Sequence, residues 1–552
     1  MIALRPRPEW AARWHAAGHW REQSILDRVA DRIAATPGKS AVIDARGTRL
    51  SYAELDHQSS RLAGYLRSQG FAEGDVLTLH LPNWCCTAVV MLAVYKLGGV
   101  LHTAPPTYGW SDLAYVLARC SSKAIVAAGR FRSTDYGRHL EAIRRQQALP
   151  PICLLVGDGG AAGGTAVGTA FERALEAEPL AAAARCDPDA PAAVLFTSGT
   201  ESKPKGVVHT HNTLLFGERV FAERLGLGAD DACFIATPVS HATGLLHGLV
   251  LNLTLGCTLV LQDIFDARRA VQVMRLEGVT WTVGATPFLH DTIEALEAAG
   301  AGLPALKFFV CGGAPLPEAT VRRAHAAGVT VLPLYGSTES PPHALLRPDA
   351  PLQQRWETDG EALPHIEIGV IGADGALLGP GIEGEEVSRG PNLFIGYLDE
   401  PGLTARAIDD QGWYRSGDLA VVRSDRTLEI SGRIKDIIIR GGQNVSAREV
   451  EDLLVEHPAV RRVALVGQPH ERLGETAVAV VVLHDGAQLS LADIVEFLAQ
   501  RGVSRYKLPE RLVIRPELPQ TPSGKIQKYL IRESLSHAAP DGIERPLGSG
   551  TT

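Results

Sequence analysis

The chain has 552 residues, 45% of them hydrophobic and 21% charged, with a formal net charge of -8. A chain of this length is too long for one hydrophobic core, so two or more domains are predicted. The weakly acidic balance argues against nucleic acid as a partner and against tight binding to anionic membranes. From about residue 24 to residue 156, helical patterns alternate with short apolar strand patterns, which is typical of an α/β architecture with a parallel sheet.

The first half of the chain contains clear examples of both patterns. SYAELDHQSSRLAGYLRSQG has apolar residues at helical spacing after a serine N-cap, and Gly70 ends the helix. VLTLHLP and ICLLVGD are predicted to be buried strands, and TAVVMLAVYKLG a helix. The longest apolar stretch begins at Leu245, but His247, Asn252 and Gly256 interrupt it. It is therefore predicted to be a buried helix, a turn and a strand, and no membrane span is expected.

The cysteines and the N-terminus indicate the cellular compartment. The eight cysteines show no C-x-x-C pair and no metal-ligand spacing. Several lie in apolar runs, where cysteine behaves as a small buried hydrophobe, and a reducing compartment is expected. The N-terminal segment MIALRPRPEWAARW has basic residues but lacks the apolar region of a signal peptide. We therefore expect a cytoplasmic protein.

The composition of the chain also indicates its domains. Residues 157–170 are small and glycine-rich, as in a loop or linker. Near residue 430 a compact α+β unit of roughly one hundred residues begins, which is a usual domain size. The predicted fold is α/β, with a large N-terminal domain of several α/β subdomains (1–434) and a small mobile α+β C-terminal domain (435–536). The tail, 537–552, is predicted to be disordered.

The segment LFTSGTESKPKG (195–206) concentrates small, polar and cationic residues. It follows the strand VLF and precedes the amphipathic helix HNTLLFGERVFAERL, and a strand, glycine-rich loop and helix bring backbone N–H groups together around an anion. Its hydroxyls can donate to phosphate oxygens, and its lysines supply point charges. The spacing is not that of a Walker loop, and an ordinary flexible loop is the alternative.

Four further motifs follow this loop in a fixed order: YGSTE, YRSGDL, GRIKD and PSGK. Together with TSGTESKPKG they resemble the adenylate-forming superfamily of acyl-CoA synthetases, aryl-acid ligases, peptide-synthetase adenylation domains and luciferases. The resemblance extends over residues 25–535, nearly the whole chain. It implies ATP, Mg²⁺ and a carboxylic acid as reactants or cofactors.

The resemblance assigns a role to each motif residue. The β- and γ-phosphates of ATP are expected to contact Thr197, Ser198, Gly199, Thr200, Lys203 and Lys205. The adenine is expected to lie against Gly312, Gly313, Ala314, Tyr335 and Gly336. Thr338 is expected to contact the α-phosphate, Glu339 to bind Mg²⁺, and Asp418 and Arg433 to contact the ribose. Lys525 is expected to bridge the carboxylate and the α-phosphate, although any one of these residues alone could serve an ordinary turn or a solvated surface.

The residue types suit this chemistry because a carboxylate is a poor nucleophile toward an anionic triphosphate. Lysines and Mg²⁺ would neutralise the α-phosphorus as pyrophosphate leaves, and no protein nucleophile is needed. The resemblance further implies that the small domain rotates about Lys435 before a thiol attacks the acyl adenylate. Gly441 and Gly442 would then let a pantetheine arm pass, with a plain β-turn as the alternative.

The acyl site is expected around PVSHATGLLHG and the residues flanking YGSTE. His241 is assigned with the catalytic residues and lines the acyl group, and Ala242 replaces the aspartate that amino-acid-activating members use for the α-ammonium. The other expected lining residues are Leu334, Pro342 and His343. This lining suits a medium-chain, cyclic aliphatic or aromatic acid, and both histidines could instead be ordinary packed residues.

The predicted function is an AMP-forming acyl-CoA synthetase that makes an acyl adenylate, releases pyrophosphate and uses free CoA as the thiol acceptor. One alternative is a stand-alone ligase that loads the phosphopantetheine of an external acyl carrier protein. A second alternative is a non-catalytic nucleotide-binding protein, which the presence of Lys525, Glu339 and Asp418 disfavours. A homodimer is considered as the assembly.

Overall fold

The structure is a computed structural model. It describes residues 2–157, 167–197, 204–300, 302–313, 316–440, 443–470, 473–501, 503–521 and 524–536. The predicted disordered tail, 537–552, lies outside the described residues.

The strands are numbered in chain order. They are β1 (Ser40–Asp44), β2 (Arg49–Ser51), β3 (Val76–His80), β4 (Val100–Thr103), β5 (Ala124–Ala128), β6 (Arg130–Phe131), β7 (Thr134–Asp135), β8 (Ile152–Val156), β9 (Thr169–Ala170), β10 (Pro191–Thr197), β11 (Lys205–Thr210), β12 (Ala232–Ile235), β13 (Thr258–Leu261), β14 (Trp281–Gly284), β15 (Phe308–Gly312), β16 (Val331–Tyr335), β17 (Ala344–Leu345), β18 (Glu361–Ala362), β19 (Glu367–Ile371), β20 (Glu383–Arg389), β21 (Gly396–Tyr397), β22 (Tyr414–Val422), β23 (Leu428–Arg433), β24 (Ile437–Arg440), β25 (Gln443–Ser446), β26 (Val460–His470), β27 (Gly474–Leu483) and β28 (Arg511–Ile514).

The helices are numbered in the same way. They are α1 (Pro8–Ala16), α2 (Ile25–Ala35), α3 (Tyr52–Ser68), α4 (Cys86–Lys96), α5 (Trp110–Arg119), α6 (Tyr136–Arg144), α7 (Phe171–Ala174), α8 (His211–Leu225), α9 (Leu251–Leu255), α10 (Ala267–Leu276), α11 (Thr286–Ala299), α12 (Glu318–Ala326), α13 (Gln354–Glu357), α14 (Pro401–Ala407), α15 (Ala447–Leu454), α16 (Leu491–Gln500) and α17 (Lys528–Ser536). A π-helical segment, Gly244–Val250, precedes α9, and short 3-10 turns span Ile434–Asp436 and Arg505–Lys507.

The chain forms two compact units. The first comprises Met1–Ile368 and Ser388–Tyr414, and the second comprises Gly369–Val387 and Arg415–Thr552. This partition follows the packing of the chain and does not test where a hinge lies, so the boundary at 434/435 stays a prediction.

The first unit is built on two large sheets. One has the strand order β18-β17-β16-β15-β14-β12-β13-β1-β2 and the other the order β21-β11-β10-β4-β3-β5-β8-β9. The central strands of both are parallel. Antiparallel pairs lie toward the edges: β1 with β2, β16 with β17 and β17 with β18 in one sheet, and β10 with β11 and β11 with β21 in the other. The predicted α/β class is confirmed.

Helices separate and cover these sheets. Apolar residues of α2, α3, α4, α8 and α9 form one core with residues of both sheets. Helix α4 is buried on all sides along Thr87–Lys96, which explains why its sequence is largely apolar rather than amphipathic. Helices α10, α11 and α12 cover the other face of the first sheet, and α5 and α6 cover that of the second.

Local signals in the sequence set several of these boundaries. Ser51 caps α3 in a capping box with Glu54, and Gly70 has a φ of 84° after the helix. The long apolar run folds as the π-helical segment, α9 and β13, with Gly256 in the left-handed region between the last two. No helix among the described residues is long and apolar enough to cross a membrane.

One sequence-based prediction is wrong. The loop after β10 was expected to lead directly into a helix, but Lys205–Thr210 forms the intervening strand β11, which pairs antiparallel with β10. Residues of β11 are buried on both faces, and Val207 and Val208 are β-branched, which favours a strand. The loop therefore connects a β-hairpin, and helix α8 begins only after its N-cap Thr210.

The second unit is a smaller α+β structure. Strands β26 and β27 form a long antiparallel pair, and β28 lies parallel to β27. Apolar residues of α15 and α16 pack with this sheet in one core, and those of α17 in another. A separate sheet of this unit has the order β19-β20-β22-β23. The predicted large α/β part and the predicted small α+β part are thus both present.

Candidate active site

The candidate phosphate loop is held at both ends by the hairpin of β10 and β11. Thr197 and Lys205 are paired opposite each other at its base, and both are partly exposed. Ser198, Gly199, Thr200 and Lys203 lie outside the described residues. The hairpin thus places Thr197 and Lys205, both predicted to contact the ATP phosphates, side by side at the carboxyl end of β10.

The candidate adenine site lies at the ends of β15 and β16. A side chain at Gly312 would come within 2.5 Å of the Leu334 carbonyl oxygen, so the two strands approach too closely for any other residue. Gly313 has a φ of 83°, a conformation that glycine adopts without strain. Tyr335 ends β16 and is partly exposed, which leaves part of its ring available to a flat ligand, and Ala314 lies outside the described residues.

Thr338 and Glu339 lie in the turn that follows β16, just after Gly336. The Thr338 carbonyl oxygen lies 2.8 Å from His209 Nε2, and the Glu339 carbonyl accepts from the Phe394 N–H at 2.8 Å. Glu339 Oε1 accepts from Tyr397 Oη at 2.9 Å. Among the described residues, Glu339 Oε2 has no hydrogen-bond partner. A carboxylate with one oxygen held and one open fits Mg²⁺, which takes few protein ligands and completes its shell with phosphate and water.

The predicted acyl-site residues differ in exposure. His241 is partly exposed and its Nδ1 accepts from the Thr243 N–H at 3.2 Å, and Ala242 and Leu334 are also partly exposed. Pro342 is buried. His343 is fully buried, with its ring edge-on to Tyr335 at 4.7 Å between centroids, so it packs against the tyrosine that is predicted to contact the adenine.

An apolar cavity lies between the first sheet and helices α10 and α11. It is small, with about 10 Å³ open to the centre of a water-sized molecule, and its lining includes four phenylalanines and Met274. The phenylalanines are Phe234, Phe265, Phe288 and Phe309. Thr237, which also lines it, precedes His241 by four positions.

In the second unit, the two predicted ribose-contacting residues lie next to each other. Asp418 and Arg433 are opposite in the register of β22 and β23, and Arg433 Nε donates to Asp418 Oδ1 at 2.5 Å. Asp418 is buried while Arg433 is exposed. The guanidinium thus orients a carboxylate that can accept from hydroxyl groups.

Lys525 lies in a tight turn of the second unit. The Thr521 N–H donates to the Lys525 carbonyl at 2.8 Å, and the Lys525 N–H donates to Thr521 Oγ1 at 3.1 Å. The Lys525 side chain is exposed. Lys435 lies in the 3-10 turn Ile434–Asp436 and is also exposed, whereas Gly441 and Gly442 lie outside the described residues.

Two residues that contact the turn carrying Thr338 and Glu339 in the first unit were not predicted from the sequence. His209 and Tyr397 hold Thr338 and Glu339 respectively, although they are distant from YGSTE in the chain. A histidine inside an apolar strand and a tyrosine in the turn-rich segment GYLDEPG could each have been noticed. Their partners could not, because only the pairing of β21 with β11 brings them together.

Comparisons with known proteins cover almost the whole chain. A family model described as "AMP-binding enzyme" matches residues 29–398, and one described as "AMP-binding enzyme C-terminal domain" matches residues 449–525. The chain is 41% identical over 536 residues to a medium-chain fatty-acid–CoA ligase of Escherichia coli, a match that covers 97% of this chain and 94% of that protein.

Two further similarities bear on the acceptor and the fold. The chain is 32% identical over 536 residues to a salicyl-AMP ligase / salicyl-S-ArCP synthetase of Mycobacterium tuberculosis, covering 96% of this chain and 94% of that one. The ATP-bound crystal structure of MatB from Rhodopseudomonas palustris superposes with a TM-score of 0.83 at 26% identity, covering 93% of this chain and 99% of that chain.

Proposed function

This chain belongs to the AMP-binding enzyme family, and from that premise we propose that it is an ATP-dependent carboxylic acid:CoA ligase. It activates the acid as an acyl adenylate and transfers the acyl group to a thiol. The observation that carries this proposal is the alignment over nearly its full length with a CoA ligase that is 41% identical. The arrangement of Thr338, Glu339 and Tyr335 around one turn of the first unit supports it.

In the first half reaction, a carboxylate oxygen of the acid forms a bond to the α-phosphorus of ATP. The bond from that phosphorus to the bridging oxygen breaks, and pyrophosphate leaves with the electron pair. Thr197 and Lys205 would orient the departing phosphates, and Thr338 would contact the α-phosphate. These residues supply position and charge, which are the main contributions to phosphoryl-group chemistry.

Mg²⁺ would be held by Glu339 and by the phosphates, and when bound it would offset the negative charge that accumulates on them. Lys525 would add a cation at the attacking carboxylate and the α-phosphate. Asp418, oriented by Arg433, would accept from the ribose hydroxyls. The adenine would stack on Tyr335, whose ring His343 supports at its edge.

In the second half reaction, the sulfur of a thiol forms a bond to the acyl carbon. The thiol loses its proton, the bond from the acyl carbon to the phosphate oxygen breaks, and AMP leaves. Free CoA is the proposed thiol. Rotation at Lys435 and passage of the pantetheine arm beside Gly441 and Gly442 are parts of this proposal.

The acid is proposed to be medium-chain, cyclic aliphatic or aromatic. Its carboxylate would lie near His241, and Ala242 and Leu334 offer it no charge. The distal carbons would pack among the apolar side chains around Phe234 and Phe288, which would have to move apart because the cavity between them is small. Burial of apolar carbons there is favourable by roughly 0.8 kcal/mol per methylene. A series of straight-chain acids tests this, because kcat/KM should rise with length and then fall once the chain exceeds the space that these side chains can open.

Replacing Ala242 by aspartate should lower kcat/KM for acids by about 10- to 100-fold, because a second carboxylate near the substrate carboxylate repels it. Pyrophosphate release with saturating ATP measures the change. Ala242→Ser is the matched control, since it adds a polar atom without charge, and its effect should be several-fold smaller. Equal rates for Ala242→Asp and the parent enzyme would place Ala242 outside the acyl site.

The proposed function is tested by mass spectrometry of the purified protein with ATP, Mg²⁺ and a pool of carboxylic acids. Reactions with and without CoA are compared, and a reaction without ATP is the control. An acyl-CoA that requires both ATP and CoA supports the ligase and names its acid. Failure to form either an acyl adenylate or an acyl-CoA from any acid would contradict it and favour a non-catalytic nucleotide-binding protein.

A second candidate function is the loading of an external carrier protein. It is favoured by the 32% identity to a protein named salicyl-S-ArCP synthetase. An acyl adenylate that accumulates unchanged when CoA is added, and disappears when a phosphopantetheinylated carrier is added, would support this candidate over the CoA ligase.

A further inference from the structure

The Glu339 carboxylate accepts a hydrogen bond from a buried tyrosine, Tyr397, that lies outside the five sequence motifs described above. Tyr397 Oη lies 2.9 Å from Glu339 Oε1, and the two residues are 7% and 9% exposed. The phenol O–H donates this hydrogen bond, because a carboxylate oxygen accepts.

The segment that carries Tyr397 is anchored around the same turn. Its strand β21 pairs with β11, with Tyr397 opposite Val207, and the Tyr397 N–H donates to Thr404 Oγ1 at 2.9 Å. The Phe394 N–H donates to the Glu339 carbonyl, and the Phe394 ring packs against the Tyr397 ring at 4.8 Å. One short segment therefore holds both the backbone and the side chain of Glu339.

The same tyrosine also contacts the lysine at the base of the candidate phosphate loop. Lys205 Nζ lies 5.7 Å from the centroid of the Tyr397 ring, within the range of a cation–π contact. Lys205 stands at the base of the hairpin, opposite Thr197. Tyr397 thus lies between a cation of the phosphate loop and the carboxylate expected to bind the metal.

From these contacts we propose that Tyr397 is a positioning residue for the cation site: it holds Glu339 Oε1 so that Oε2 is directed to the metal–nucleotide complex. The proposal rests on the assignment of Glu339 in the proposed function. A carboxylate held in one rotamer loses less side-chain entropy when it binds a ligand. A single hydrogen bond to a charged group is strong enough to change metal affinity by about 5- to 20-fold.

The test is equilibrium binding of Mn²⁺ to the full-length protein with a non-hydrolysable α,β-methylene analogue of ATP, followed by the electron paramagnetic resonance signal of free Mn²⁺. Tyr397→Phe should raise the Kd for Mn²⁺ by about 5- to 20-fold. Binding of the analogue without metal should change by less than about 2-fold, because only the metal contact depends on the phenol. The half-saturating Mg²⁺ concentration for adenylation should rise in parallel.

The matched control is Tyr52→Phe. It also removes a phenol hydroxyl buried in the first unit, one that donates to the Cys257 carbonyl at 2.8 Å. It should lower thermal stability to a similar extent without changing Mn²⁺ affinity. A thermal scan of both variants therefore separates positioning from general destabilisation.

A double-mutant cycle gives a second, independent result. With Glu339→Gln the carboxylate is gone, so adding Tyr397→Phe should raise the Kd for Mn²⁺ by less than about 2-fold. An unchanged Kd in the single variant Tyr397→Phe, or an equal loss in both backgrounds, would overturn the proposal. Equal loss of analogue affinity with and without metal would also overturn it, because Tyr397 would then support the phosphate loop instead.

Since binding of Mn²⁺ and of the analogue needs no carboxylic acid, these two binding measurements do not depend on knowing the substrate. If Tyr397→Phe behaves as expected but no acid is activated, the proposed function fails while the cation-site inference stands. If acids are activated but Tyr397→Phe leaves Mn²⁺ binding unchanged, the proposed function stands and the cation-site inference fails.

Discussion

Replacing Lys525 by alanine will lower the rate of acyl-adenylate formation by about 100- to 1000-fold, the loss expected when a charge that stabilises the transition state is removed. The carboxylate and the triphosphate are both anions, so their approach depends on cations supplied by the protein. ATP–pyrophosphate exchange with the identified acid measures this step without the thiol. Transfer from pre-formed acyl adenylate to CoA should be much less affected.

The control for this substitution is Lys507→Ala. Lys507 also lies in the second unit, and its Nζ pairs with Glu449 at 2.7 Å. Surface ion pairs of this kind contribute about 1 kcal/mol or less, so the exchange rate should stay close to that of the parent enzyme. An exchange rate in Lys525→Ala equal to that in Lys507→Ala would contradict the role assigned to Lys525.

Acidification should unfold the first unit between about pH 6.5 and pH 4, because histidines buried in the neutral form must be protonated. Burial lowers the pKa of His80, His209 and His211 to about 4, and that of His102 to about 3. All four are buried.

Because burial lowers these histidine pKa values, acid lowers the stability of the first unit. Above pH 6.5 the histidines are neutral in both the folded and the unfolded chain, and their contribution to stability is fully present. Between pH 6.5 and about 4 the unfolded chain binds protons that the folded chain excludes, so the free energy of unfolding falls. At 1.36 kcal/mol per pKa unit, His80, His209 and His211 each cost about 3 kcal/mol to protonate in place, and His102 about 5 kcal/mol. Together they are comparable with the whole stability of a domain.

Tryptophan fluorescence and proton uptake, measured together during an acid titration, check this expectation. These four histidines should together take up roughly three to four protons in the unfolding transition. His102→Phe should lower that number by about one, because one of the titrating histidines is removed. The Thr78 hydroxyl, which contacts His102, keeps its hydrogen bond to Ser122 at 2.6 Å. His325→Gln, at an exposed position, is the control and should leave uptake unchanged. A first unit that keeps its folded fluorescence down to about pH 4, or that unfolds there without taking up protons, would contradict the prediction.

His209 connects this titration with the site. Its Nε2 lies 2.8 Å from the Thr338 carbonyl oxygen, and its Nδ1 lies 3.0 Å from Thr213 Oγ1. Acid opening of the first unit should therefore release the turn that carries Thr338 and Glu339. Nucleotide binding should be lost in the same pH range as the fluorescence signal.

Much of the local structure could be read from the sequence because it depends on neighbouring residues. The serine cap and Gly70 set the ends of α3, and the apolar runs VLTLHLP and ICLLVGD form the buried strands β3 and β8. The ordered motifs indicated the family, which the family models confirm. The roles of individual residues such as Lys525 and Asp418 stay predictions, since they depend on ligands.

By itself, then, the sequence determined the α/β class, the family and most helices and strands, because capping, periodicity and motif order act over a few residues. Only the tertiary structure decided that the phosphate loop closes a hairpin and that Asp418 pairs with Arg433. It alone decided that Tyr397 holds Glu339, 58 positions earlier in the chain. Such contacts depend on how strands are ordered in a sheet, and local patterns carry no information on which distant strand becomes a neighbour.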